Sequence, residues 1–395
     1  MPAAAPTTRE HGGDRPTADP ARRPLRAHLR AGGPALLAVA LFLCVRAFSL
    51  AALAVRAAAT DKSPRVLLSE RWDSLWYARV AEHGYDFTVN APDGRSLSSM
   101  AFFPLLPWLE RGTRTVTGLS LPAAGLLVGA LSSALAAWAV FLVVRHSYGD
   151  RAGVVCVVLW AAVPVGIVQS MAYSEALFTA LAACGLLCAL RERWMTAGIL
   201  ASLAGLTRPV GLAVTAALFL AVWLHHRAGA GGSRDRIRAV LGCLVAPVGA
   251  VAYILWVGAR RGRLLGYLDV QDEWGNGFDG GWAFARFLTG GSAALAVLAL
   301  LGMLLLAYWP HHIGAKQHQP PPLIAYSALV TLLAVGASGY FGSKPRLLLP
   351  AFPLLIPLAV LLARRRPALT WSALTTLTVA SAVYGAYWLT GSGPP

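Results

Sequence analysis

The feature that most constrains this chain is a series of apolar runs, each close to the length that spans a lipid bilayer. A helix rises 1.5 Å per residue, so about 20 apolar residues cross a hydrocarbon core of about 30 Å. The runs lie at about residues 34–57, 120–144, 152–169, 174–190, 193–207, 209–225, 238–258, 291–309, 322–340, 346–363 and 368–390. Because a helix satisfies its own backbone in lipid, they predict an all-α polytopic membrane protein with about eleven transmembrane helices.

The sequence divides into a head, a membrane domain and a short tail. Residues 1–33 are rich in Pro, Gly and Arg, which predicts a disordered basic cytoplasmic N-terminus. We assign residues 34–390 to a single transmembrane domain with a first outer loop at 58–119, and residues 391–395 to the tail. The first apolar run is too long for a signal-peptide core, so we expect an uncleaved anchor.

The positive charge of the chain is distributed in a way that predicts its orientation. The formal net charge is +16, but the basic residues sit in short loops between apolar runs and not on one soluble module. The positive-inside rule explains this pattern, and we expect no nucleic-acid partner. With a cytoplasmic N-terminus, the segments with unusual chemistry all fall on the outer face, at 59–119, 170–175, 207–209, 259–290 and 342–346. Three arginines at 260, 261 and 263 argue mildly against this orientation.

The five cysteines all lie within apolar runs, where they are typical of buried small side chains. Cys184 and Cys188 share a helix face, but the extra ligands of a metal site are absent from their surroundings. We therefore predict neither a disulfide framework nor a metal centre.

The densest polar and aromatic stretch is SERWDSLWYARVAEHGYD, Ser69 to Asp86, in the first outer loop. Apolar side chains recur in it at helical spacing, at Trp72, Leu75, Trp76 and Val80. Gly84 is typical of a helix end. The pattern predicts an amphipathic helix at the membrane interface, with Trp76 and Tyr77 at headgroup depth as anchors or as substrate contacts.

Interfacial anchoring does not account for Asp73. A carboxylate at this position can accept a proton from a hydroxyl group if it is held ionised and aimed at the substrate. Arg71 is the neighbour that we expect to keep it ionised. The alternative is a solvated surface acid.

Two charged residues lie at interruptions of apolar runs. Glu175, in QSMAYSEALF, is at the outer edge of a span, where an ionisable group is a functional candidate. The alternative is a helix N-terminal acid, with Ser174 as the cap. Arg208 lies in the break Thr207–Pro209, where it either binds phosphate or extends to the interface.

Two further segments carry weaker signals. In GYFGSKPRLLLPAFP, Lys344 and Arg346 stand at an outer helix entrance, a combination that favours phosphate. The loop LDVQDEWGNGFDGGW contains Gln271 among acids and an aromatic residue, a composition found in sugar sites and also in ordinary loops. The stretch MAFFPLLPWLERG, Met100 to Gly112, predicts a short, stiff helix used for packing.

No phosphate-binding glycine loop, HExxH or serine-elbow motif occurs in a fitting context. Instead RWDSLWYARVAEHGY, FFPLLP, YSEALF, LTRPVG and SKPRLLLPAFP follow one another over roughly residues 40–365. This series resembles the PIG-V mannosyltransferase family, of the GT-C class. The small loops rich in Ala, Arg and Gly and the long N-terminal head indicate a bacterial member.

The resemblance implies a GT-C-like bundle that moves mannose from a polyprenyl-phosphate donor to a lipid-linked or cell-envelope acceptor hydroxyl, with inversion. It implies Asp73 as the base, with Arg208, Lys344 and Arg346 on the donor phosphate and Glu175 on sugar or acceptor. Arg71, Trp72, Trp76, Tyr77 and Gln271 complete the expected substrate-binding set. We expect no cofactor and no metal, a plasma-membrane location and an outward-facing site.

Other classes remain open from sequence alone. A transporter or lipid flippase explains the spans and the intramembrane charges, although alternating access favours a site at the membrane midplane. A noncatalytic scaffold would tolerate the loss of the Asp73 charge. Within the enzymes, a GT-C relative that moves arabinose or glucose has the same sequence features.

Overall fold

The computed structural model of the protein describes residues 23–85, 87–91 and 94–393, and it is built almost entirely of helices. In chain order these are α1 (Arg23–Ala58), α2 (Pro64–Ser69), α3 (Asp73–His83), α4 (Leu105–Thr117), α5 (Leu121–Ala161), α6 (Ser174–Leu190), α7 (Trp194–Gly205), α8 (Leu212–Arg227), α9 (Ser233–Val245), α10 (Val248–Arg260), α11 (Gly266–Glu273), α12 (Trp282–Leu288), α13 (Ala293–Lys316), α14 (Pro321–Gly336), α15 (Lys344–Leu347), α16 (Ile356–Ala363) and α17 (Pro367–Thr390). Two strands, β1 (Thr88–Asn90) and β2 (Ser96–Ser98), form an antiparallel hairpin that pairs Thr88 with Ser98.

The all-α membrane architecture is confirmed, but the predicted count of about eleven spans is not. In the described residues, five helical segments are long and apolar enough to cross a membrane, or up to six if a pair bent by 75° counts as one span. The five are Gly33–Ala58, Leu121–Ala161, Pro209–Arg227, Ser233–Arg260 and Ala293–Lys316. Several predicted spans, among them α6, α7 and α14, are shorter apolar helices. Helix α1 already begins at Arg23, before the predicted domain boundary, and residues 1–22 lie outside the described part.

Helix α5 contains two of the predicted spans. It consists of two helical segments that meet at a kink at Gly149, whose backbone is not helical, with φ 82° and ψ 176°. Glycine adopts such a positive φ at no steric cost, so it is suited to the kink. The second predicted run stops early, at Ala161, and continues as a 3-10 turn over Gly166–Ser170. The buried Arg46 side chain of α1 donates to the carbonyl oxygens of Ala161 and Gly166, which satisfies this helix end.

Small residues let the helices around α7 approach closely. A Cβ atom at Gly242 of α9 would lie 2.4 Å from the carbonyl oxygen of Trp194, and one at Gly198 would lie 2.2 Å from the carbonyl oxygen of Gly242. Backbone contact of this kind, through small side chains, is typical of membrane helix pairs. The break predicted at Thr207–Pro209 is present, because α7 ends at Gly205 and α8 starts at Leu212.

The first outer loop is ordered by its aromatic residues. The predicted amphipathic helix is α3, and it ends at His83, followed by Gly84 with φ 81°. The β1–β2 hairpin was not predicted. Trp274 donates from Nε1 to the carbonyl oxygen of Ser98 at 2.9 Å, which ties the segment after α11 to this loop. The segment after α11 and the loop that contains β2 are therefore packed on each other.

Candidate active site

Four charged side chains from four separate segments meet at one end of the helical bundle. Asp73 begins α3, Glu175 lies in the first turn of α6, Arg208 precedes the turn Pro209–Gly211, and Arg346 lies in α15. Arg346 Nη2 is 2.6 Å from Asp73 Oδ2, and Arg208 Nη1 is 2.5 Å from Glu175 Oε1. Arg346 Nε is 3.6 Å from the same Glu175 oxygen, which joins the two pairs. We call these four residues the Asp73 network.

The members of the Asp73 network differ in their access to solvent. The exposed fraction of the side chain is 2% for Glu175, 10% for Arg346, 17% for Arg208 and 24% for Asp73. Charges this deeply buried are tolerated only when they are paired. Asp73, the most accessible of the four, is the member that a substrate hydroxyl can reach most easily.

One edge of the Arg346 guanidinium remains unused. Its Nη1 atom is buried and has no hydrogen-bond partner among the described residues. Buried donors in folded proteins are almost always paired, and guanidinium groups favour carboxylate or phosphate oxygens. The unused edge is therefore suited to an anionic ligand.

Two residues next to Glu175 support the cations. Ser174 Oγ lies 2.7 Å from the Tyr77 hydroxyl and 3.4 Å from Arg208 Nη1, so Tyr77 is linked to Arg208 through Ser174. The N-cap of α6 is Tyr173, and the prediction of Ser174 as the cap was wrong. The Arg346 guanidinium lies 5.0 Å from the centroid of the Tyr173 ring. Sequence analysis missed this role of Tyr173, whose only signal was its position beside Glu175.

Asp73 follows a strained residue. Trp72 has φ 51° and ψ −126°, which a non-glycine residue rarely adopts and which costs about 1–3 kcal/mol. Arg71, expected to hold Asp73 ionised, lies elsewhere. Its guanidinium stacks on the Trp72 ring at 4.0 Å, and its Nη1 and Nη2 atoms reach the carbonyl oxygens of Leu389 and Gly391 at 3.4 and 3.5 Å. The cation that contacts Asp73 is Arg346, from a distant part of the chain.

The remaining predicted substrate residues lie outside the Asp73 network. Trp76 stacks on Phe87 and Phe102, with ring centroids 5.6 and 5.4 Å away, and the edge of Trp274 is at 4.9 Å. Its ring is thus part of the aromatic packing of the outer loops. Gln271 donates to the Tyr267 hydroxyl at 2.9 Å and accepts from Asn276 at 3.1 Å, so its amide is engaged within its own loop.

Lys344 is also separated from Asp73. Its Nζ atom donates to the carbonyl oxygens of Val335 and Ala337 at the end of α14, and it lies 5.4 Å from the Phe284 ring. A cation at a helix C-terminus interacts favourably with the helix dipole and the free carbonyls. The Lys344 side chain therefore satisfies carbonyl oxygens at the C-terminal end of α14.

A further acid, Glu110 of α4, is buried in the outer loop but is not part of the Asp73 network. It is 1% exposed, and its Oε2 atom has no hydrogen-bond partner in the described residues. Burial raises the pKa of Glu110 well above its usual range, because the charged carboxylate loses its contact with water. Its Oε1 atom packs against Gly125 of α5, consistent with the packing role predicted for Met100–Gly112.

The surface cavity near α3 does not coincide with the four charges. It has a volume of about 450 Å³ and lies between the C-terminal ends of α3 and α4, with Glu82, Arg111 and Arg114 in its lining. Over the described ranges, no three His, Cys, Asp or Glu side chains are arranged as a metal site.

Comparison with known proteins identifies the architecture. No protein-family model and no curated protein sequence matches this chain. Among solved structures, ArnT from Cupriavidus metallidurans bound to undecaprenyl phosphate has a TM-score of 0.55 at 17% identity, over 88% of this chain and 63% of ArnT. The oligosaccharyltransferase AglB from Archaeoglobus fulgidus, in complex with an inhibitory peptide and a dolichol-phosphate, has a TM-score of 0.51 at 11% identity, over 91% of this chain and 56% of AglB.

Both proteins are longer than this chain, which spans 63% and 56% of their lengths. At such low identity the likeness concerns the fold. The helical content, the apolar spans and the chain path over most of the sequence agree with one architecture. The chain therefore has a GT-C-like helical fold, shared with ArnT and AglB.

Proposed function

We propose that the protein is a membrane glycosyltransferase that moves a sugar from a polyprenyl-phosphate donor to an acceptor hydroxyl, with inversion. The observation that carries this proposal is the Asp73 network, in which folding joins two acids and two arginines from segments far apart in the sequence. The two similar structures contain undecaprenyl phosphate and dolichol-phosphate, which are lipid phosphates of the class we propose for the donor.

The reaction that fits these residues is a single displacement. The acceptor oxygen attacks the anomeric carbon and the bond to the donor phosphate breaks, so the polyprenyl phosphate leaves with the electron pair. Asp73 accepts the proton of the acceptor hydroxyl as the general base. The configuration at the anomeric carbon inverts because only one displacement occurs, in contrast to a double displacement.

The arginines supply the charge that the leaving group needs. Arginine stays protonated in proteins, and its planar fork matches phosphate oxygens. Arg346, with its free Nη1 atom, is the main candidate for the phosphate, and Arg208 is the second. Stabilising negative charge as it develops on the phosphate accelerates the bond cleavage. Glu175 contacts both arginines, so we assign it to positioning them.

The sugar and the family are finer proposals that rest on sequence resemblance. We propose mannose as the sugar, membership of the PIG-V mannosyltransferase family, a lipid-linked or cell-envelope acceptor, and no requirement for a metal. We propose, from the distribution of arginines, that the N-terminus is cytoplasmic and that the site lies on the outer face of the plasma membrane. A site at helix ends favours an enzyme over a transporter, for which a midplane site is expected.

The test is sugar transfer in membranes that contain the full chain. Radiolabelled polyprenyl-phosphate mannose is supplied to wild type and to Asp73→Asn at matched expression, with and without a chelator. We expect transfer by wild type in both conditions and none above background by the variant. Full activity in Asp73→Asn would remove Asp73 as the base. If the chelator abolishes transfer by wild type, the enzyme requires a metal. If only another polyprenyl-phosphate sugar is transferred, that sugar takes the place of mannose in the proposal.

A further inference from the structure

The base and the phosphate-binding arginine of this site are already paired with each other. The carboxylate of Asp73 contacts Nη2 of Arg346 at 2.6 Å, and the two belong to segments more than two hundred residues apart. An Asp73 carboxylate engaged in this way has one oxygen directed at a guanidinium. That oxygen is not free to accept a proton from a hydroxyl.

The charges of the Asp73 network balance. Two carboxylates face two guanidinium groups, and each arginine has a carboxylate within 2.6 Å. An anion that enters the network therefore meets no uncompensated cation. It can bind well only where an arginine gives up part of its contact with a carboxylate, because two anions that share one guanidinium repel each other.

The two arginines differ in how easily they release their partner. Glu175 is 2% exposed, so separating it from Arg208 would leave this deeply buried carboxylate with only its longer, 3.6 Å contact to Arg346. Asp73 is 24% exposed and can be solvated when it leaves Arg346. Within the described part of the chain, Arg346 Nη1 has no hydrogen-bond partner, so an incoming phosphate oxygen can first bind there. The Asp73–Arg346 pair is therefore the one that an anionic ligand opens.

We propose that the donor phosphate and the Asp73 carboxylate compete for Arg346, so that binding of the donor releases the base. Before the donor binds, Arg346 occupies the Oδ2 atom of Asp73, so this oxygen is unavailable to a hydroxyl. After it binds, the phosphate occupies Arg346 and Asp73 faces the acceptor. The base becomes available only when a leaving group is present, which requires the donor to bind before the acceptor becomes reactive. This inference rests on the proposed function.

Asp73→Asn removes the proposed base and should stop transfer, but competition predicts that it strengthens phosphate binding. The reason is that Arg346 then has no Asp73 carboxylate to compete with the phosphate. We expect Asp73→Asn to lower the dissociation constant of polyprenyl phosphate about tenfold, a typical size for coupling between two ligands of one site. The probe is polyprenyl phosphate without sugar, titrated against the purified full chain in detergent.

The control for a general charge effect is Glu82→Gln, on the same helix. Glu82 pairs with the surface residue Arg114 at 3.4 Å and lies at the other end of α3, so its removal should leave the dissociation constant unchanged. A parallel titration with inorganic phosphate separates recognition of the phosphate group from recognition of the lipid. If Asp73→Asn lowers the melting temperature, Asp73→Ser provides the same loss of charge with a smaller side chain.

A double-mutant cycle makes the assignment to Arg346 specific. In an Arg346→Gln background, where binding is weaker, the substitution Asp73→Asn should no longer strengthen it. If wild type and Asp73→Asn bind polyprenyl phosphate equally well, the competition is wrong. It is also wrong if Asp73→Asn still strengthens binding in the Arg346→Gln background. Either result leaves the proposed reaction unaffected. If wild type binds neither polyprenyl phosphate nor inorganic phosphate, both the competition and the polyprenyl-phosphate donor of the proposed function are wrong.

Discussion

Two clusters of charged side chains lie at opposite ends of the same helices. Helix α6 has Glu175 in its first turn and ends just before Glu192, and α8 follows Arg208 and ends near His225. At the second end, His225 lies 2.9 Å from Asp235 and 3.3 Å from Glu192, and Trp194 donates to Asp235 at 3.1 Å. We call these four residues, Glu192, Trp194, His225 and Asp235, the His225 network.

The two networks differ in what they leave unused. The His225 network connects neighbouring segments, and both ring nitrogens of His225 and the indole N–H of Trp194 have partners. The Asp73 network joins distant segments, and its Arg346 Nη1 atom has no acceptor among the described residues. Satisfied polar groups stabilise a fold, whereas an unsatisfied buried donor is suited to a ligand. We therefore assign stability to the His225 network and chemistry to the Asp73 network.

The largest expected difference is in catalysis. Asp73→Asn should lower the rate of sugar transfer about 10³-fold, because a general base typically contributes about 10²- to 10⁴-fold. Asp235→Asn should leave the rate unchanged and destabilise the protein by about 1–2 kcal/mol, because His225 and Trp194 lose a charged acceptor. Transfer assays and thermal unfolding give the rate and the stability of each variant. If Asp235→Asn is folded but does not transfer sugar, the assignment of the His225 network to stability is wrong.

The next largest difference is in stability between two acids. Glu175→Gln should cost about 3 kcal/mol, since it leaves the buried Arg208 cation without its partner. Glu192→Gln should cost less than about 1 kcal/mol, because Glu192 is 60% exposed and its ion pair is screened by water. Unfolding of the two variants in mixed detergent measures both. The double variant Glu175→Gln, Arg208→Gln should recover part of the stability that Glu175→Gln loses. If it recovers none, the two residues are not coupled.

The smallest expected effect concerns the packing beside the His225 network. Gly242→Ala should destabilise by about 2 kcal/mol, because its new methyl group would meet the Trp194 carbonyl oxygen at 2.4 Å. The matched control is Gly302→Ala in α13, where no atom lies within 4 Å of the added Cβ. That variant should be neutral or up to about 1 kcal/mol more stable, because alanine favours a helix. Equal melting temperatures for the two variants would mean that the helices around α7 separate to accept the methyl group.

The local features of the outer loop could be predicted because they depend on neighbouring residues. The spacing of Leu75, Trp76 and Val80 predicted helix α3, and Gly84 marked its end, whereas Trp72 of the same pattern precedes the helix with non-helical backbone. The number of spans could not be obtained in this way. Apolar runs such as α6 and α7 are buried by neighbouring helices and are shorter than a full span, and hydropathy does not separate burial in protein from burial in lipid.

The sequence by itself determined the class of the protein and the residues that carry charge into apolar surroundings. Asp73, Glu175, Arg208 and Arg346 were all identified before any geometry was known, because ionisable groups next to membrane-length runs are costly unless they are used. Only the tertiary structure decided their partners. Asp73 contacts Arg346 and not its sequence neighbour Arg71. Lys344 is only two residues from Arg346, but it donates to a carbonyl oxygen at the end of α14. Pairing depends on distances between segments, and these are set by how the helices pack and not by their order along the chain.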